Sequence, residues 1–302
     1  MQTVQVLIST YNGEKYIKKQ IDSLLNQIGV KVKILVRDDG STDSTKAILE
    51  QYSKLGKLKW YEGKNLRTAH SFLDLMKNAN DVEYYAFCDQ DDIWDNDKLI
   101  IAIESLKKFN KNEPIMYFSN ARLIDKNDND LNKNHIKNNP RITLKNSFLQ
   151  NIALGCTIVF NKEALKKAIL ADESTDIVMH DAWVYRICMA LGKVVYDPMP
   201  HIGYRQHQNN VIGGSESVLK KYKSRIFNIS KSNLFKKSKR IKVFLDIYGD
   251  MLSKDTLETI KSMAEYNEKF KLKLKLIFDP EVCMQCKIDT LILKIGILIG
   301  VI

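Results

Sequence analysis

The 302-residue sequence contains no GxxxxGK[ST] loop and no GxGxxG fingerprint. Any nucleotide it binds must therefore be held by side chains rather than by a glycine cradle. No charged segment followed by an apolar core opens the chain, so no secretory leader is expected. The closing stretch, Leu291 to Ile302, is apolar but too short to span a bilayer by itself. Cysteine is sparse. Cys88, Cys156, Cys188, Cys283 and Cys286 form an odd, scattered set, which argues for reduced cytosolic thiols over a disulfide framework. Cys283 and Cys286 have CxxC spacing without a second pair, and a structural role is expected for them. No internal repeat is present.

What the chain does have is an ordinary globular composition, with 44% hydrophobic and 27% charged residues. Its length suffices for one large domain or a domain with a subdomain. The net charge of +11 is uneven: from residue 216 onward there are 18 Lys and Arg against 10 Asp and Glu. Basic clusters at Lys220-Lys221-Tyr-Lys223 and Lys236-Lys237-Ser-Lys239-Arg240 alternate with apolar residues, as in interfacial helices. A basic tail can serve nucleic acid or an anionic membrane surface. The apolar closing stretch favours the membrane, and no nucleic-acid partner is expected.

The first 120 residues alternate strand and helix patterns. Val4–Ser9, Val32–Val36, Leu58–Tyr61 and Tyr84–Phe87 read as strands. Helical spacing follows each of them, at Ile17 to Ile28, Ser41 to Tyr52, Ala69 to Met76 and Leu99 to Leu106. This βαβα order predicts an α/β fold with a mostly parallel sheet flanked by helices. Asp125 to Arg141 is polar and is expected to be a mobile loop; Asp130 and Ile136 break any calcium-loop pattern there. Gly155 to Phe160 is expected to be a further strand. Beyond Gly213 the pattern is helical and basic. The predicted division is 1–215 for the sheet domain and 216–302 for a basic helical region.

Ligands of parallel sheets gather at the carboxyl ends of strands. Three strand ends here are polar and turn-forming: Ser9-Thr-Tyr-Asn-Gly13, Arg37-Asp-Asp-Gly-Ser41 and Asp89-Gln-Asp-Asp-Ile-Trp94. The last places three carboxylates in four positions. Their mutual repulsion is relieved by a divalent cation, since Mg²⁺ binds through one or two carboxylates and completes its shell with phosphate oxygens. The competing reading is an acidic turn in which Asp92 or Asp95 caps the next helix. At the second strand end, Asp38 and Asp39 can accept from a base or ribose, or can simply form a β-turn. Tyr11 can stack on a base.

In order and spacing, these three motifs resemble the family 2 glycosyltransferases of GT-A fold over about residues 1–215. The resemblance implies that Ser9, Tyr11, Asp38, Asp39 and Asp89 hold the nucleotide of a sugar donor. It also implies that Asp89 and Asp91 form a DXD pair binding Mg²⁺ or Mn²⁺ against the diphosphate. His180-Asp181-Ala-Trp183 matches the family's base motif, placing Asp181 as the group that deprotonates the acceptor; a helix N-cap is its alternative reading. Tyr204-Arg-Gln-His-Gln-Asn-Asn-Val-Ile-Gly213 matches the basic segment that closes over the diphosphate, with Arg205 and His207 as its cations. Thr157, His180 and Trp183 are implied acceptor contacts, and a buried helix face is the other reading for Trp183.

The usual QxxRW form of that segment is missing. The YRQH form and Met179-His180-Asp181 are more similar to bacterial rhamnosyltransferases of surface polysaccharide synthesis. The expectation is an inverting, metal-dependent transferase using dTDP-rhamnose. Its acceptor would be a glycan or lipid-linked saccharide, and its place the cytoplasmic face of the inner membrane. UDP-hexoses and UDP-N-acetylhexosamines are alternative donors. A non-catalytic basic peripheral membrane protein is a distant alternative.

Overall fold

The computed structural model describes residues 1–206 and 237–300. His207, Lys220, Lys221, Lys223, Lys236 and most of the segment to Gly213 lie outside the described residues. Two compact units are present: residues 1–139 with 153–207, and residues 140–152 with 208–302. Residues 140–152, assigned by sequence to the first domain, thus group with the C-terminal unit.

In the first unit a nine-stranded sheet is built from β1 (Gln2–Thr10), β2 (Val30–Asp38), β3 (Lys59–Glu62), β4 (Tyr84–Cys88), β5 (Ile93–Trp94), β6 (Ile115–Ile124), β7 (Asp130–Asn134), β8 (Val159–Asn161) and β9 (Lys193–Arg205). The strand order is β3-β2-β1-β4-β8-β6-β9-β5, with β7 paired to β6. Strands β1 to β4 are mutually parallel, and β6 and β9 are parallel to each other. Strand β8 is antiparallel to both β4 and β6, and β5 is antiparallel to β9. The sheet is therefore mixed α/β with a parallel half that carries the polar strand ends. Continuous apolar runs explain the buried centre: Val4, Val6, Leu7, Ile8, Ala86 and Phe87 have no exposed surface, as expected for strands covered on both faces.

Helices α1 (Ile17–Leu25), α2 (Thr45–Lys54), α3 (Arg67–Lys77) and α4 (Lys98–Leu106) follow β1, β2, β3 and β5. Their apolar stripes seat them on the sheet; Ile17, Ile21 and Leu24 of α1 are fully buried. Two expectations are corrected here. Asp125 to Arg141 is not simply a loop: Asp125 accepts from the Asn127 and Asn129 backbones and tightens a turn into β7. Gly155 to Phe160 begins as a 3-10 turn, Gly155–Thr157, and only then becomes β8. Helices α6 (Lys162–Ala168) and α7 (His180–Leu191) complete the unit.

The second unit contains α5 (Leu144–Leu149), α8 (Lys237–Tyr248), α9 (Lys254–Ala264), α10 (Phe270–Phe278) and α11 (Lys287–Ile299). Phe148 of α5 packs edge-on against Phe244 of α8, with ring centroids 5.0 Å apart. Lys145 bridges Asp279 and Glu281 at 2.6 and 2.9 Å, and Asn146 donates to the Cys283 carbonyl at 2.6 Å. Among the described residues, no helix is long and apolar enough to cross a membrane. All five cysteines are free thiols.

Candidate active site

Parallel register sets the site. Thr10 pairs with Asp38, and Ile8 with Cys88, so β1, β2 and β4 end along one edge of the sheet. The residues just beyond these strands are therefore brought together: Tyr11 after β1, Asp39 after β2 and Asp89 after β4.

The first two loops are zipped by hydrogen bonds. Asn12 N–H donates to Ser41 Oγ at 2.9 Å, Gly13 N–H to Thr45 Oγ1 at 2.8 Å, and Thr42 N–H to Asn12 Oδ1 at 2.9 Å. Asn12 takes a left-handed φ of 47°, a conformation asparagine tolerates better than most residues. Gln90 ties the acidic loop to the same point. Its Oε1 accepts from Thr10 Oγ1 at 2.6 Å and from Tyr11 N–H at 3.0 Å. A side chain at Gly13 would run into Gln90 and Thr10, so this close approach requires glycine. Tyr11 remains 49% exposed, an aromatic face at the strand end. Ser9 is half-buried beside it.

Asp38 and Asp39 differ in what they do. Asp38 is fully buried and accepts from Gly40 N–H at 3.1 Å, Ser41 N–H at 2.8 Å and Ser41 Oγ at 2.5 Å. Its carboxylate builds the turn. Asp39 forms an ion pair with Arg37 and accepts from Ser71 Oγ at 2.5 Å. Arg37 in turn binds Asp74 at 2.9 Å and the Lys64 carbonyl at 2.8 Å. This buried network fixes the end of β2 against α3.

The acidic loop is electrostatically loaded. Burial, then Asp91, then Asp181 push the Asp89 carboxyl up to about 7. Burial with Asp91 and Asp89 raises Asp92 well above the carboxylate range. Among the described residues, Asp89, Asp92 and Cys156 place candidate ligand atoms within 4.8 Å of one another. Among the described residues, Asp92 Oδ2 is buried with no N–H or O–H donor, and the Cys156 thiol bonds to the Asp92 carboxyl. Burial, with Asp92 and Asp89, also pushes the Cys156 thiol well up. Crowded carboxylates with an orphaned buried oxygen suit a hard divalent cation held by Asp89 with Asp91 or Asp92. Beneath the loop, Lys98 is fully buried with Nζ 3.5 Å from the Trp94 ring centre. Burial lowers its ammonium to about 8, against Cys156, Cys88 and Asp92, which pull it up.

Arg205, expected over the diphosphate, is buried against the acidic loop. Its side chain has no exposed surface: Nε donates to the Asp91 carbonyl at 2.7 Å, and Nη1 to the Asp125 carbonyl at 3.0 Å and Asp128 at 2.5 Å. Its backbone N–H donates to Asp92 Oδ1 at 3.0 Å. It is a strut under the acidic loop. The other candidate cation, His207, lies outside the described residues.

Asp181 sits in the first turn of α7, one position inside the helix, with Met179 rather than Asp181 as the N-cap. One oxygen accepts from Ala182 N–H at 2.6 Å. Gly155 packs against this turn, where an added Cβ would lie 3.0 Å from His180 and 3.5 Å from Asp181.

The three expected acceptor contacts, Thr157, His180 and Trp183, are all buried. His180 is buried, stacked on Phe72 at 3.7 Å and edge-on to Phe87 at 4.6 Å. Burial drops its pKa to about 3, so the ring is neutral. Trp183 is buried and donates to the Ala168 carbonyl at 3.4 Å. Thr157 is buried and donates to the Leu154 carbonyl at 2.7 Å. Gln90, Arg37, Lys98 and Asp128 were not anticipated. Gln90 lay inside the motif, and Lys98 is the lone basic residue of an apolar helix.

Similarity to known proteins agrees with this geometry. Residues 5–169 match the family model described as "Glycosyl transferase family 2". The chain is 32% identical over 232 residues to the dTDP-rhamnosyl transferase RfbG of Shigella flexneri, covering 72% of this chain and 77% of that one. Among solved structures, TarS 1-349 of S. aureus in complex with UDP-GlcNAc superimposes with TM-score 0.55 at 15% identity, over 100% of this chain and 90% of that one. The mannosyltransferase PcManGT of Pyrobaculum calidifontis, solved with GDP-Man and Mn²⁺, gives 0.54 at 16% identity, over 98% and 74%. With a GT-A sheet and its three polar strand ends in register, the chain belongs to glycosyltransferase family 2.

Proposed function

We propose that this glycosyltransferase is inverting and metal-dependent. It transfers rhamnose from dTDP-rhamnose to a glycan or lipid-linked saccharide in bacterial surface polysaccharide synthesis. The observation that carries the reading is the meeting of Asp89 and Asp181: they come from β4 and α7, yet the Asp181 charge helps raise the Asp89 carboxyl. That proximity supports reading Asp181 as the base beside the proposed cation site, the neighbourhood that one-step displacement requires. The similarity to RfbG supports the rhamnosyl donor.

In this mechanism Tyr11 stacks on the base, while Ser9, Asp39 and the turn organised by Asp38 frame the nucleoside. Asp89 and Asp91 would hold Mg²⁺ or Mn²⁺, which when bound would supply positive charge for the departing nucleoside diphosphate. Asp181 takes the proton from the acceptor hydroxyl as its oxygen attacks the anomeric carbon. Neutral His180, packed between Phe72 and Phe87, keeps competing positive charge away from that carboxylate. Arg205 and Gln90 hold the acidic loop at its height. The enzyme works on the cytoplasmic side of the inner membrane, touching its surface.

The test is a panel of dTDP-rhamnose, UDP-glucose, UDP-galactose and UDP-N-acetylhexosamines with Mn²⁺, following nucleoside diphosphate release with and without lipid-linked acceptor. Release from dTDP-rhamnose, abolished by EDTA, is expected. Turnover of a UDP-sugar alone would reassign the donor.

A further inference from the structure

The described part of the C-terminal unit carries an apolar surface that its own packing leaves uncovered. On α10, Phe270, Leu274 and Phe278 recur every four residues along one face, and Phe270 and Phe278 are 66% and 79% exposed. On α11, Ile288, Leu291, Ile295, Leu298 and Ile299 form a second exposed stripe, with Leu291 at 61%. The inward faces are separate: Leu276 of α10 and Leu293, Gly296 and Ile297 of α11 are buried. Large apolar side chains exposed in such concentration mark an interaction surface.

Charge identifies the occupant. The two helices carry five lysines, Lys271, Lys273, Lys275, Lys287 and Lys294, against the single carboxylate Asp289. Lys271, Lys275 and Lys287 are exposed. Asp279 and Glu281 in the intervening turn are already paired with Lys145. An apolar stripe bordered by lysines fits the boundary between anionic headgroups and acyl chains. Helix α11 has 13 residues, about 20 Å at about 1.5 Å per residue, too short for a hydrocarbon core of about 30 Å. That length suits a helix lying in the interface rather than one crossing it. A second copy of the chain fits poorly, since an isologous contact would bring one lysine-rich patch against another.

We infer that α10 and α11 form a docking surface for an anionic lipid bilayer, with Phe270, Phe278 and Leu291 inserting and Lys271, Lys275 and Lys287 meeting the headgroups. The surface depends on the proposed function only for its purpose.

The experiment is vesicle co-sedimentation of the full chain, using phosphatidylcholine alone and phosphatidylcholine mixed with phosphatidylglycerol. Binding to the anionic vesicles is expected. Phe278→Ser combined with Leu291→Ser should weaken partitioning about tenfold or more, because two exposed apolar side chains lose their burial in lipid. Lys271→Glu with Lys275→Glu should weaken it too, as should added salt. Circular dichroism verifies that the variants stay folded. Unchanged partitioning of the serine variant overturns the inference, and so does absence of vesicle binding by the parent. A dimer that the serine substitutions dissociate, without vesicle binding, overturns it in favour of a second copy. Nucleoside diphosphate release measured without vesicles reads the proposed function separately; its failure with vesicle binding intact leaves the surface standing.

Discussion

Thr10 and Gln90, 80 residues apart in sequence, share a 2.6 Å hydrogen bond that joins the end of the first strand to the acidic loop. Gln90 Oε1 also accepts from the Tyr11 backbone. Gln90→Ala removes both bonds, leaving Thr10 and Tyr11 unpaired where the loops meet. The expected result is a higher KM for donor with a stability loss of about 1 kcal/mol. Donor titration and thermal unfolding of the variant check it.

Asp181→Asn keeps the size of the side chain but removes its basicity. Donor binding by calorimetry should remain near that of the parent, while transfer falls about 10²–10⁴-fold. Transfer at the parent rate would mean that another group takes the proton.

Asp91→Ala and Asp89→Ala withdraw carboxylates from the proposed cation site. Mn²⁺-dependent donor binding should disappear in both, whereas unfolding temperature without metal should hold or rise, because like charges have been removed. Equal Mn²⁺ affinity in variant and parent would rule out the assignment.

Arg205→Ala removes the ion pair to Asp128, the bonds to the Asp125 and Asp91 carbonyls and the packing on Tyr16. Loss of a buried, hydrogen-bonded cation costs about 3 kcal/mol or more. A residue that only touched diphosphate would affect KM and spare stability; here the unfolding midpoint in urea should drop clearly.

His180 supplies a pH signature. Its folded pKa, about 3, lies below the ordinary histidine value of 6.5. The unfolded chain therefore binds the extra proton first, and stability is full above about 6.5 and lost as pH falls toward 3. At pH 5 the cost is about 2 kcal/mol. His180→Phe should flatten the unfolding profile between pH 6.5 and 4 relative to the parent.

The three polar strand ends were legible in sequence because strand ends announce themselves locally. An apolar run that stops at Asp38-Asp39-Gly40 or Asp89-Gln90-Asp91 fixes both the strand and the polar edge. The βαβα pattern likewise gave β1 to β4 within a few residues. The roles of single side chains were less legible, because burial is a property of what packs from elsewhere. Thr157, His180 and Trp183 carry polar atoms that suggest contact with a ligand, yet Leu154, Phe72 and Ala168 claim them. Arg205 reads as a free cation until Asp91, Asp125 and Asp128 surround it. The grouping of 140–152 with the C-terminal helices rests on long-range bonds such as Asn146 to Cys283, which no local pattern encodes.

The position of Arg205 in the chain has a consequence for biogenesis. Strand β5, immediately after the acidic loop, pairs among the described residues only with β9, and the loop itself leans on Arg205 at the end of β9. A nascent chain emerging from the ribosome can assemble β1 to β4 early, but its carboxylate loop stays unbraced until residue 205 has been made. The part of the enzyme that would gather metal and phosphate is thus among the last to be seated during synthesis, after the sheet that bears it is already in place.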